Sequence, residues 1–107
     1  IISSSTQTDN GLIQAGYTNM NLDLNMTNVD LIWTSTVAIN KGAIVAGRSR
    51  KSTTLNLVIK DCEFDVTGAA GAKVIYATDG VTGAIKLNNT TIDDSLVSKN
   101  KMTLNRE

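Results

Sequence analysis

Asp61, Glu63 and Asp65 stand at alternate positions of one short stretch, and Asp93 and Asp94 lie just past a comparable stretch later in the chain. Alternate residues of a strand project from one face. Two carboxylates held roughly 5–10 Å apart suit glycoside hydrolysis, one as acid and the other as base or nucleophile. Asp30 joins this group if its segment lies beside that of Glu63. The competing reading is a solvated face whose acids cap turns. Asp61, Glu63 and Asp30 are therefore carried forward as catalytic candidates without a preferred acid among them.

The run Arg48-Ser49-Arg50-Lys51 is the one dense positive cluster. Guanidinium forks match carboxylates geometrically, so Arg48, Arg50 and Lys51 could clamp an acidic sugar. The alternative is a solubilising loop. Trp33 and Tyr76 are candidate stacking rings for a sugar face, since aromatic side chains combine an apolar body with a polar handle. Trp33 follows Leu31 by two and should share its inward direction, which favours burial. The single cysteine, Cys62, permits no intrachain disulfide, and with no histidine in the chain there is neither a zinc set nor a base to activate the thiol. We expect no metal and no cofactor.

The elements that must position these residues come from a repeat. Segments Gly11-Leu12-Ile13-Gln14-Ala15-Gly16, Gly42-Ala43-Ile44-Val45-Ala46-Gly47 and Lys73-Val74-Ile75-Tyr76-Ala77-Thr78 begin 31 residues apart each time. In each the third position is Ile and the fifth Ala, so Ile13, Ile44 and Ile75 form one inward column. A second segment follows each of these. Leu24, Leu57 and Ile85 align and point inward, as do Met26, Ile59 and Leu87. Next comes Asn28, Asp61 and Asn89, a column of residues that tolerate the left-handed conformation and so a sharp corner. Val29, Cys62 and Thr90 are small residues past the corner. Asp30, Glu63 and Thr91 face solvent. Leu31, Phe64 and Ile92 return inward. Apolar residues recur every second position rather than every 3.6, which excludes helix.

A repeat of this length suggests a solenoid. The expected fold is all-β, a short parallel β-helix of about three coils. Residues 1–10 would be a lead-in segment or linker, 11–96 the coils (about 11–41, 42–72 and 73–96), and 97–107 a polar cap or tail. A pilin-like or immunoglobulin-like β-sandwich is the alternative, because short alternating strands look alike in isolation.

Ile59-Lys60-Asp61-Cys62-Glu63-Phe64 resembles the corner signature of the pectin-lyase-like right-handed β-helix superfamily, and Leu87-Asn88-Asn89-Thr90-Thr91-Ile92 is similar to it. The Gly-Ala-Ile-Val-Ala segments resemble the following strand in phage tailspikes and bacterial surface adhesins. The resemblance covers residues 11 to about 96. It implies a fold that hosts lyases, hydrolases, adhesins and structural shafts. It also implies that lyases of this kind would use Arg or Lys as base beside calcium held by Asp, but no clear calcium loop is present here.

Ten basic and ten acidic residues leave no net charge, against the basic excess that a nucleic-acid or polybasic membrane binder needs. No apolar run approaches the roughly 18 residues of a transmembrane helix. The sequence opens on Ile1 rather than Met, which leads us to expect a piece of a longer protein. Three coils stacked at about 4.8 Å leave open sheet edges at both ends. We therefore expect a homo-oligomer, with a trimer favoured, or neighbouring solenoid segments. The expected function is a structural or adhesive module of an extracellular, cell-surface or virion assembly, contacting a glycan. The alternative is a fragment of a polysaccharide-degrading enzyme.

Overall fold

The computed structural model describes residues 2–5, 11–17, 19–35, 41–67 and 73–107. Strands β1 (Ile2–Ser5), β2 (Ile13–Ala15), β3 (Met20–Thr27), β4 (Asp30–Ser35), β5 (Gly42–Ala46), β6 (Thr53–Lys60), β7 (Glu63–Thr67), β8 (Lys73–Ala77), β9 (Val81–Asn88), β10 (Val97–Ser98) and β11 (Thr103–Arg106) follow in order, with one 3-10 turn at Asp94–Leu96. They form three sheets ordered β1-β4-β7, β10-β8-β5-β2 and β11-β9-β6-β3. Every pairing among them is parallel. The fold is thus all-β with parallel sheets. The sandwich alternative, whose sheets are antiparallel, does not match it.

Consecutive strands belong to different sheets. The chain visits the second sheet, then the third, then the first, and starts again one sheet position along. Parallel neighbours need such a crossover, because a two-residue hairpin joins only antiparallel strands. Each pass places like residues beside like. Ile13 pairs with Ile44 and Ile44 with Ile75. Leu24 pairs with Leu57, and Leu57 with Ile85. Between β3 and β4, β6 and β7, and after β9, the chain turns at Asn28, Asp61 and Asn89, whose φ angles are 58°, 55° and 46°. Short amide and carboxylate side chains tolerate this region, where β-branched residues would be strained.

Ile44, Leu55, Leu57, Ile59, Ile75, Val81, Ile85 and Leu87 are buried in one cluster, with Met102 among them. β6 shows the expected alternation, with Leu55, Leu57 and Ile59 buried and Asn56 and Lys60 exposed. A smaller cluster holds Leu31, Trp33 and Ala43.

Two segments differ from the sequence expectation. Residues 1–10 read as a lead-in or linker, yet residues 2–5 form β1 and run beside β4, Ile2 opposite Ile32. Residues 97–107 read as a polar cap or tail, yet β10 pairs with β8 and β11 with β9, adding a further strand to two sheets. The reason is visible in register. Val97 lies beside Ile75 and Leu104 beside Ile85, so two apolar residues in a polar segment continue the buried columns.

Candidate functional site

The carboxylate candidates separate by environment. Asp30 on β4 and Glu63 on β7 are register partners on adjacent strands, both exposed. Strand spacing puts their backbones about 4.8 Å apart. Asp65, two residues further along the same face, is exposed too. Asp61 does not join them. It occupies the corner, where its Oδ1 accepts a 2.7 Å hydrogen bond from the Asn89 side-chain amide. That bond ties two neighbouring corners together. Just past it, the Cys62 N–H donates to the Thr90 hydroxyl at 3.1 Å, and the Thr90 hydroxyl donates to the Asn88 carbonyl at 3.0 Å. Cys62 is buried and free, and its sulfur accepts the Val29 N–H at 3.4 Å. These residues build the corner.

Trp33 is 1% exposed and packs with Leu31 and Ala43. It is corrected from a candidate sugar ring to a core residue, since its β4 parity carries it inward with Leu31. Tyr76 is half-buried on β8 beside Val45, its register partner.

The basic run gathers more. Arg48, Ser49, Arg50 and Lys51 form an exposed turn in which the Lys51 N–H donates to the Arg48 carbonyl at 3.1 Å. Arg50 holds a left-handed φ of 64°. The turn is fixed from the next pass by Asp79, whose Oδ1 accepts from the Arg50 N–H at 2.9 Å and the Ser49 hydroxyl at 3.0 Å. The Arg50 N–H, followed by the Ser49 hydroxyl, holds the Asp79 carboxyl below its ordinary value of 3.8.

From the previous pass comes Tyr17. The residue is 53% exposed, and the Arg48 guanidinium lies over its ring, 4.7 Å from the centroid. Such a cation–π contact restrains both side chains. Beneath them the Gln14 amide donates to the Gly16 carbonyl at 2.7 Å and the Gly47 carbonyl at 2.6 Å, which locks two passes together. The result is an open groove of about 520 Å³ lined by Gln14, Tyr17, Lys41, Arg48, Arg50 and Thr78, among others.

No protein-family model, curated protein or solved structure matches the chain. The site must therefore be read from its own chemistry.

Of the sequence candidates, Arg48 and Arg50 line the groove, while Lys51 is exposed at the end of the turn and outside the lining. Tyr17, Lys41 and Gln14 were not singled out from the sequence. A signal for Tyr17 was present: it follows Gly16 as Arg48 follows Gly47, one 31-residue interval apart. Both glycines have positive φ, 80° and 74°, so the two side chains leave equivalent corners on neighbouring passes. Among the described residues, no group of three or more His, Cys, Asp or Glu is placed to hold a metal ion. Nor is any helix there long and apolar enough to cross a membrane.

Proposed function

We propose that the chain is a short parallel β-helix of the pectin-lyase-like kind and that it serves as a structural or adhesive module in an extracellular, cell-surface or virion assembly. The observation that carries this reading is the in-register recurrence of like residues in all three sheets: Ile13, Ile44 and Ile75 in one, Leu24, Leu57 and Ile85 in another, Leu31 and Phe64 in the third. A closed three-walled shaft buries each column against the other two, and such a stack grows by adding passes. Parallel sheet edges at both ends favour further pairing. The module then works as a homo-oligomer, most simply a trimer, or within a longer solenoid, and presents its loops to a glycan.

The decisive experiment is solution NMR. Amide contacts in the parallel pattern between Leu24 and Leu57, and between Leu57 and Ile85, are expected, together with contacts from the side chains of all three sheets into one shared core. Side-chain contacts confined to pairs of facing sheets would defeat the shaft. Sedimentation of the same sample is expected to give a trimer, and a stable monomer would count against assembly through this chain alone.

A second reading has its own observation. Asp30 and Glu63 are paired in register and exposed together, a placement open to carboxylate-pair hydrolysis. Incubation with neutral and acidic polysaccharides, following reducing ends and unsaturated uronate absorbance, tests it. Turnover lost in Glu63→Gln would establish an enzyme and overturn the purely adhesive reading.

A further inference from the structure

We propose that the groove at the Arg48–Lys51 turn binds an anionic saccharide, with its carboxylate or sulfate held by Arg48, Arg50 and Lys41 and its ring laid against Tyr17. This rests on the adhesive reading above and gives it a site. Lys41, Arg48 and Arg50 all line the groove, and among the described residues its lining contains no acid. The nearby acid, Asp79, has its Oδ1 engaged by the Ser49 hydroxyl and the Arg50 N–H. It therefore shapes the turn and keeps the Arg50 backbone in the left-handed conformation. Two guanidinium forks beside an ammonium favour a planar oxyanion.

The second half of the site is the ring. Tyr17 is the most exposed large apolar side chain among the described residues, at 53%. Arg48 covers one face of the ring, and the exposed remainder, next to fixed cations, suits a ligand with an apolar face and an anionic edge, which describes a uronic acid or a sulfated sugar. Free anions lack the face and neutral sugars lack the charge. The floor is built before any ligand arrives, because Gln14 bridges Gly16 and Gly47. Preorganisation of this sort reduces the ordering cost of binding. Thr78 also lines the groove, and its buried hydroxyl has no hydrogen-bond partner. A volume of about 520 Å³ falls within the range of small-ligand sites.

The test is an amide-resolved NMR titration of the whole chain with four probes: a uronate oligosaccharide, a sulfated oligosaccharide, a neutral oligosaccharide and inorganic sulfate. Uronate or sulfated sugar is expected to shift Tyr17, Gly47, Arg48 and Arg50, and which of the two binds more tightly identifies the anion. Arg48→Gln, or Arg50→Asn, which tolerates the positive φ, is expected to weaken binding by about tenfold, as loss of a charge-assisted hydrogen bond does. Tyr17→Ala removes both the ring and its hold on Arg48, so it should weaken saccharide binding by a larger factor than it weakens inorganic sulfate. Equal binding of neutral sugar, unchanged affinity in both arginine variants, or no shifts at these amides would overturn the proposal. So would sulfate binding as tightly as the saccharides. If the titration is flat while the parallel contacts and the trimer stand, this inference alone fails.

Discussion

Asn89 donates its side-chain amide to the carboxylate of Asp61 across 2.7 Å, so two left-handed corners on neighbouring passes are tied by one hydrogen bond. Asp61 thus has two structural tasks, tolerating a φ of 55° and accepting that bond. Asp61→Ala removes the bond and leaves a residue less tolerant of the left-handed region. We expect it to lower stability by about 1–2 kcal/mol. Asp61→Asn keeps the tolerance and an acceptor oxygen and should stay within about 0.5 kcal/mol of the parent. Urea denaturation of both variants measures the difference, and equal losses would remove the corner role.

Gly83 has a φ of 115°, and a Cβ built there would collide with the backbone of Leu55, its register partner on β6. The two preceding members of its column, Leu22 and Leu55, are apolar, so a side chain would be expected at this position on pattern alone. Gly83→Ala must both strain the backbone and push two strands apart. A loss of about 1–3 kcal/mol is expected from the conformation alone, which in a domain of this size lowers the thermal midpoint by several degrees. Thermal unfolding followed by circular dichroism checks it, and an unchanged midpoint would contradict this close approach.

What could be read in advance followed from side-chain type acting locally. The Ile13, Ile44 and Ile75 column and the Asn28, Asp61 and Asn89 corner each repeat one physical requirement, burial or a left-handed turn, and the requirement selects the residue. Val97 and Leu104 were missed because they and Met102, scattered amid lysines and asparagines, are too few to make a periodic pattern; only register shows that Val97 and Leu104 continue the columns. The groove was half legible. Arg48 and Arg50 announce themselves by charge, but Tyr17, Lys41 and Gln14 reach them only across passes, where contact depends on loop lengths that vary. The corner position of Asp61 was legible from its column with Asn28 and Asn89, but the hydrogen bond that engages its carboxylate was not, because it comes from Asn89 on the next pass.

Asp79 links stability to pH. Its carboxyl is held below the ordinary 3.8 by the Arg50 N–H and then by the Ser49 hydroxyl. A group with a depressed native pKa stabilises the fold fully above its unfolded value and loses that contribution as pH falls through the native value. The contribution should therefore fade in acid from about pH 4 downward, where an unperturbed aspartate is already half protonated, and the turn should loosen as Asp79 itself protonates below that. A carbon-detected NMR titration should show the Asp79 carboxyl titrating below a free aspartate. In Asp79→Asn the acid-induced shifts of the Ser49 and Arg50 amides should vanish. A titration of Asp79 at or above its ordinary value would refute the arrangement.

Thr53 opens β6 at 3% exposure, and its buried hydroxyl has no hydrogen-bond partner. Its methyl, by contrast, packs close to the backbone of Gly16. The two halves of the side chain therefore oppose each other: the methyl gains from burial and the hydroxyl loses its water without replacement. Thr53→Val keeps the β-branched shape, which suits a strand, and exchanges the unpaired hydroxyl for a methyl. It should raise stability by roughly 1 kcal/mol. Thr53→Ser keeps the hydroxyl and removes the packed methyl, and should lower stability by a similar amount, about 1 kcal/mol. Opposite signs in paired urea melts are the expected result. A loss in Thr53→Val would mean that the hydroxyl has a partner in solution, most simply a bound water.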